Sequence, residues 1–427
     1  MSGFATRAVH GPTIAAPGGA PGGAPGAKPG ADPSGDPHGS LRPPVYDTVA
    51  FAFASAEDIA AAFAGRKAAH AYSRITNPTV TELERRVQAL AGGQGVMALA
   101  SGMAAISTTI MALAEAGANI VAARSLFGNT TSLLAHTLAP WGLEARFVDM
   151  NDQEAVTAAI DNHTRAVFCE SITNPQLEVA DIPALAALTR KRGVPLIIDN
   201  TAPTFYLCRA GELGADIEII SSTKYISGGG STVGGLIIDH GTFPWARAPR
   251  MAKFAESFGP FAFLAALRRE ISRNIGACLA PHNAYLQTLG LETLALRVEK
   301  SCQNALDLAH YLRHQPKVAE VNYPGLTDNP FHLLADRQFS GRYGGILTFD
   351  LGERARCFAC LNKLRLIKRA TNINDNKTLA IHPASTIFAE FTRPELEVMG
   401  VGEGMIRIST GIEDPADLQQ DLAQAIS

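Results

Sequence analysis

Two ionisable residues sit where apolar runs stop. Ile219-Ile220-Ser221-Ser222-Thr223-Lys224 passes from a buried-strand pattern into small hydroxyls and one lysine, and the glycines Gly228-Gly229-Gly230 follow. Upstream, Pro195-Leu196-Ile197-Ile198-Asp199 is a second apolar run, ending in a carboxylate. A lysine amine condenses with an aldehyde, and a carboxylate keeps a pyridine nitrogen protonated. The two together are the smallest set of side chains that pyridoxal 5′-phosphate requires. Taken singly, Lys224 reads as a surface lysine after a strand and Asp199 as a turn cap. Taken with their neighbours, they point to the cofactor.

A phosphate needs its own cradle. Val96-Met97-Ala98-Leu99-Ala100 reads as a strand, and Ser101-Gly102-Met103 turns the chain into an Ala/Ile/Met-rich helix. Free N–H groups and the helix dipole make such a turn an anion site. Before it lies the polar loop Ala71-Tyr72-Ser73-Arg74-Ile75-Thr76-Asn77-Pro78-Thr79. The spacing Thr79-x-x-Glu82 predicts a capping box, with Val80, Leu83, Val87 and Leu90 on one helical face and Gly92-Gly93 as the stop.

Short apolar strands are predicted at 119–123, 144–148, 165–170, 195–199 and 217–221, with helices around 129–139, 152–161 and 181–192. This alternation predicts an α/β fold with a doubly wound, mostly parallel sheet. Residues 250–312 read as largely helical. A strand at 345–350, a helix at 354–364 and a strand-helix unit at 405–426 suggest a smaller C-terminal α+β domain. The expected division is an N-terminal arm over 1–60, a large cofactor-binding domain over 61–270 and the α+β domain over 271–427. Residues 15–40 are Gly/Pro/Ala-rich, with almost nothing to bury, and read as a disordered insertion in the arm.

Composition excludes several classes. The 37 Lys+Arg against 40 Asp+Glu leave no electrostatic footprint for nucleic acid and no polybasic membrane patch. No apolar run reaches the ~18 residues of a bilayer span, and no basic-then-apolar leader opens the chain. Six cysteines without a paired framework read as reduced thiols of a cytoplasmic protein. Cys357 and Cys360 form a lone C-x-x-C. With no second ligand pair for zinc, helix packing is the expected role.

Together, Tyr72-Ser73-Arg74…Asn77-Pro78-Thr79, Ser101-Gly102-Met103, Asp199-Asn200-Thr201, Ser221-Ser222-Thr223-Lys224 and Arg407-Ile408-Ser409-Thr410-Gly411 resemble the Cys/Met-metabolism family of pyridoxal-phosphate enzymes. The resemblance runs from about Leu41 to the C-terminus and implies the fold-type I architecture of that family. It implies that Lys224 holds the cofactor and shuttles protons, and that Asp199, with Thr201 beside it, serves the ring nitrogen. Gly102, Met103, Ser221 and Thr223 are implied at the phosphate, Asn174 near the ring's 3-hydroxyl, and Arg407 with Asn372 at the substrate α-carboxylate. Tyr72 and Arg74 are implied to reach the phosphate of a neighbouring subunit, which would make the active site a property of a dimer or homotetramer. Plainer roles compete: turn caps for Ser221 and Thr223, a surface ion pair for Arg407, loop residues for Tyr72 and Arg74.

Within the resemblance, Ser125-Leu126-Phe127-Gly128 places Phe127 where most of the family has a ring-stacking tyrosine. The stacking face stays and the phenol is lost. A thiolate leaving group needs a proton, whereas an acyl ester leaves as a carboxylate. Thr371 stands where some cystathionine-handling relatives carry an acid, and the 241–285 segment looks like the longer O-acetylhomoserine sulfhydrylases. The expected activity is therefore γ-replacement on O-acetylhomoserine by sulfide or a small thiol. O-succinylhomoserine or cystathionine chemistry and a γ-lyase remain as alternatives.

Overall fold

The computed structural model describes residues 3–11 and 40–427. The insertion read at 15–40 lies, Ser40 apart, outside the described residues. Twelve strands are described: β1 Gly95–Leu99, β2 Asn119–Ala123, β3 Glu144–Val148, β4 Thr164–Glu170, β5 Leu196–Asp199, β6 Ile217–Ile220, β7 Gly235–Asp239, β8 Glu320–Asn322, β9 Ile346–Asp350, β10 Lys368–Arg369, β11 Leu379–Ile381 and β12 Met405–Ser409.

The first seven form one sheet in the order β1-β7-β6-β5-β4-β2-β3. The pairs β2/β3, β2/β4, β4/β5 and β5/β6 are parallel, whereas β7 runs antiparallel to both β6 and β1. This is the expected mostly parallel α/β sheet. Its central strands are buried on both faces because helices cover both, and β2 and β6 are buried along their whole length. The remaining five strands form a second sheet, β10-β11-β12-β9-β8, antiparallel except at β10/β11.

Four helices precede β2: α1 Phe4–His10, α2 Ala56–Phe63, α3 Pro78–Ala91 and α4 Gly102–Leu113. The start of α3 differs from the expected capping box. Asn77 is the cap, accepting from the Thr79 N–H at 2.9 Å, and Pro78 occupies the first helical position. The Thr79 hydroxyl instead donates to the Pro44 carbonyl and accepts from the Tyr46 N–H, while Glu82 pairs with Arg86 at 2.8 Å. The predicted apolar face is right: Val80, Leu83, Val87 and Leu90 are buried, and Gly92 stops the helix in the left-handed region at φ 78°.

There are two main cores. One joins the large sheet to α3, α4 and the helix Pro281–Glu292. The other lies under the small sheet and contains Leu347, Phe349, Ile406, Ile408 and both Cys357 and Cys360, which pack there as free thiols. The helix Leu294–Arg313 supplies Leu294, Val298 and Cys302 to the first core and Ala305, Leu308 and Leu312 to the second. No helix among the described residues is long and apolar enough to cross a membrane.

Candidate active site

Open α/β sheets bind ligands outside the carboxyl ends of their strands, and a cavity of about 230 Å³ lies there. Glu170 ends β4, Asp199 ends β5, and Ser221 follows β6. All three line the cavity, as do Gly102, Met103, Phe127, Asn174, Thr201, Thr223 and Lys224. Nine sequence-predicted positions thus converge, with Glu170 beside them, from segments spread over more than a hundred residues.

Each is held by local chemistry. Ser101 caps α4 by accepting from the Ala104 N–H at 3.0 Å. The N–H groups of Gly102 and Met103, the first two of the helix, have no partner among the described residues. Helix and strand exit meet closely here: a Cβ on Gly102 would lie 2.7 Å from the Ser221 Cβ. The Thr223 hydroxyl accepts from the Gly234 N–H and donates to its carbonyl, tying the lysine-bearing turn to the strand that follows. The competing turn role is thus present for Thr223. Thr201 donates its N–H to Asp199 at 3.0 Å, and its hydroxyl accepts from the Ser221 N–H at 2.8 Å.

The electrostatics follow from enclosure. Asp199 and Lys224 touch the cavity but are shielded from bulk water. Burial pushes the Asp199 carboxyl up to about 6, against the hydrogen bonds from Thr201; the charge of Glu218 adds to the rise and Lys224 opposes it. Burial pushes the Lys224 amine down to about 8, helped by the positive charge of Arg407 and opposed by Asp199 and Asp375. The Nζ of Lys224 donates to the Asn372 Oδ1 at 2.7 Å. Arg407 is fully buried on β12, where its Nη1 donates to the Asn174 Oδ1 and its Nη2 to the carbonyls of Thr371 and Asn372. Its Nε has no partner, no carboxylate pairs with it among the described residues, and burial holds its pKa down at about 9. That is no surface ion pair.

Four expected residues do not line the cavity: Asn372 and Arg407 adjoin it through Lys224 and Asn174, and the other two stand apart. Tyr72 and Arg74 do not line the cavity of their own chain. The Arg74 guanidinium lies over the Tyr72 ring, 5.3 Å from its centroid, and donates to the Arg273 carbonyl. One residue was missed. Glu170 lines the cavity and accepts from the Phe127 N–H at 2.6 Å, which fixes the ring-bearing turn. Burial, with the charge of Asp199, drives its pKa well up. A carboxylate ending a strand beside Asp199 was the available signal.

The model of the Cys/Met metabolism PLP-dependent enzyme family matches residues 28–427. The chain is 41% identical to O-acetyl-L-homoserine sulfhydrylase 1 of Thermus thermophilus, over 91% of this chain and 96% of that one. It is 38% identical to the L-methionine gamma-lyase of Pseudomonas putida, over 100% and 98%. Among solved structures, a protein of Campylobacter jejuni described as a candidate O-acetylhomoserine (thiol)-lyase, carrying a pyridoxyl-lysine phosphate, superposes with a TM-score of 0.89 at 34% identity, covering 92% of this chain and 96% of that one. The O-acetylhomoserine sulfhydrylase of Wolinella succinogenes superposes with a TM-score of 0.75 at 48% identity, covering 83% and 99%. With an aspartate at the end of β5 and a lysine in the turn after β6 facing one cavity, and a family match that spans nearly the whole sequence, the chain belongs to the Cys/Met metabolism family of PLP-dependent enzymes.

Proposed function

We propose that the chain replaces the acetoxy group at the γ carbon of O-acetylhomoserine with sulfide or a small thiol, giving homocysteine or methionine. One observation carries the reading beyond the family. The ionisable side chains lining the cavity are Glu170, Asp199 and Lys224, and Phe127 supplies a ring without a phenol. Acetate leaves as a stable anion, whereas a thiolate leaves far better with a proton donor beside it. Thr371, also in the lining, offers no charge to the amine of an amino-acid acceptor, which favours a small inorganic one.

The residues fit pyridoxal phosphate. The unpartnered N–H groups of Gly102 and Met103 and the hydroxyls of Ser221 and Thr223 would hold the phosphate, and only a glycine at 102 permits the approach to Ser221. Asp199, oriented by Thr201, would hold the proton at the ring nitrogen; Phe127 would lie against the ring and Asn174 near its 3-hydroxyl. When bound, the cofactor supplies an electron sink for the substrate's α carbon. Lys224, with its amine lowered to about 8, can take and return a proton near neutral pH, and the Asn372 carbonyl orients it. Arg407 is a buried cation with no acidic partner among the described residues, which suits it to the substrate α-carboxylate.

The proposal extends to a dimer or tetramer. Tyr72 and Arg74 are exposed and away from their own cavity, as expected of residues that serve a neighbour's phosphate. Residues 61–270 would then act as the cofactor-binding unit, 271–427 as the substrate-carboxylate unit and 1–60 as an arm, in a cytoplasmic enzyme. Steady-state rates with sulfide and either O-acetyl- or O-succinylhomoserine, beside methionine cleavage, test the activity. The acetyl ester is expected to lead by roughly tenfold or more in kcat/KM, a discrimination within reach of pocket shape. A preference for the succinyl ester, or faster methionine cleavage, overturns it.

A further inference from the structure

On the outer side of the sheet lies a buried acid-base pair that the site above does not use. Glu218, in β6, is 1% exposed, and its neighbour across β5 is Ile198. Alternation along a strand therefore turns the Glu218 side chain to the face opposite Asp199. Both carboxylate oxygens meet a nitrogen: Asn200 Nδ2 donates to Oε1 at 2.8 Å, and His240 Nε2 lies 3.1 Å from Oε2. Asn200 is fully buried and carries the connection onward. Its Oδ1 accepts from the Ser171 hydroxyl at 2.8 Å, and the Ser171 N–H donates to the Asp199 carbonyl at 3.0 Å. The chain of contacts His240–Glu218–Asn200–Ser171 thus ends on the backbone of the residue that faces the cavity.

The place for the imidazole is built. A Cβ at Gly211 would lie 2.2 Å from the His240 Nδ1 and 2.4 Å from its Cε1, so the ring occupies space that any other residue at 211 would fill. Burying a carboxylate in an apolar sheet costs stability unless it is paired and bonded. Packing alone would be met better by the isoleucine or valine that the flanking Ile217, Ile219 and Ile220 exemplify.

We propose that Glu218, held by His240 and Asn200, is a positioning residue that sets the electrostatic field and backbone orientation at Asp199 from the far side of the sheet. The inference rests on the reading of Asp199 as the partner of the ring nitrogen. A fixed negative charge behind Asp199 favours protons held on the cavity side, which is what that role requires. The other charged or titratable groups around the pair are Asp216 before β6, Asp239 at the end of β7, Cys208 after β5 and Arg190 in the helix Ile182–Arg192. On the cavity side they are Asp199, Glu170 and Lys224.

The test is a pH titration of the cofactor's visible absorbance in holoenzyme carrying Glu218→Gln, Glu218→Asp, His240→Leu or Asp199→Asn. Glu218→Gln keeps the shape and the bond from Asn200 but loses the charge, and should lower the midpoint by about one pH unit. Glu218→Asp keeps the charge at the cost of fit, and should stay closer to the parent enzyme. His240→Leu removes the ring that holds the Glu218 carboxylate in place and should also displace the midpoint. A merely structural Glu218 would give the reverse order, with Gln near the parent and Asp displaced, and that result overturns the proposal. Should Glu218→Gln fail to fold, an unmoved midpoint in His240→Leu overturns it equally. If Asp199→Asn shifts the midpoint but Glu218→Gln does not, this inference alone falls. If Asp199→Asn shifts nothing, the reading of Asp199 falls and takes the inference with it.

Discussion

Replacing Arg407 with lysine keeps the charge and removes the fork. The guanidinium now spans two segments, donating to Asn174 on one side and to the carbonyls of Thr371 and Asn372 on the other. An ammonium is a single point and cannot serve both while also meeting a carboxylate. A charge-assisted contact of this kind contributes about 1.5–3 kcal/mol. Its loss should lower kcat/KM for O-acetylhomoserine roughly 10- to 150-fold. Because a carboxylate remote from the reacting γ carbon is bound alike before and during reaction, the loss should fall mainly on KM. The decisive assay compares the substrate with its α-carboxamide in both enzymes. The parent should favour the acid by a factor in that same range, and Arg407→Lys should discriminate far less, giving a coupling between residue and carboxylate. An acid-to-amide ratio unchanged by Arg407→Lys would refute the reasoning, because Arg407 would then act without touching the carboxylate.

Three further outcomes are expected. Acylation of Lys224 in the ligand-free chain, followed by mass spectrometry, should rise through about pH 8, since burial lowers that amine and only its neutral form reacts; Asn372→Leu removes an acceptor that favours the charged form and should lower the midpoint, and a midpoint near the ~10.4 of a free lysine would contradict the site's electrostatics. Gly102→Ala forces a Cβ to 2.7 Å from the Ser221 Cβ and should weaken cofactor retention by roughly tenfold, about 1.4 kcal/mol; equal dissociation constants for the variant and the parent would argue against the phosphate cradle. A heterodimer of Arg74→Ala and Lys224→Ala subunits, purified through two tags, should recover one working site when each pure variant is impaired, and absence of recovery would mean that Arg74 serves its own subunit or none.

What was legible in the sequence had a local physical cause. Asp199 and Lys224 could be read as a pair, because one apolar run ends in a carboxylate and another leads through small hydroxyls to a lysine, the two groups the cofactor requires. The Gly102-Met103 turn could be read because strand, glycine and helix start are consecutive. The capping box failed by competition: Thr79-x-x-Glu82 fits the pattern, but Asn77 followed by Pro78 is the stronger start, and Arg86 claims Glu82. Contacts between distant segments left no trace. The Lys224–Asn372 bond joins residues 148 apart, and the Arg407–Asn174 bond joins residues 233 apart. Glu170 ended a predicted strand one position from its turn, yet its bond to Phe127 depends on how β4 lies beside the 125–128 loop.

The helix Leu294–Arg313 is keyed at both ends. Its first turns are seated in the large-sheet core and its last turns in the small-sheet core. Between them, Ser301 donates to the Thr410 carbonyl, and Asn304 donates to the carbonyls of Gly411 and Glu413, just beyond the strand that carries Arg407. Such a rod transmits angle as well as distance. One residue inserted between Cys302 and Ala305 would turn everything downstream by about 100° and advance it by about 1.5 Å. The key on one side would then miss its slot, and the guanidinium would no longer share a frame with Lys224. The phase of this helix is therefore a fixed gauge between Arg407 and Lys224, tolerant of side-chain exchange on its outer face and intolerant of any change in length.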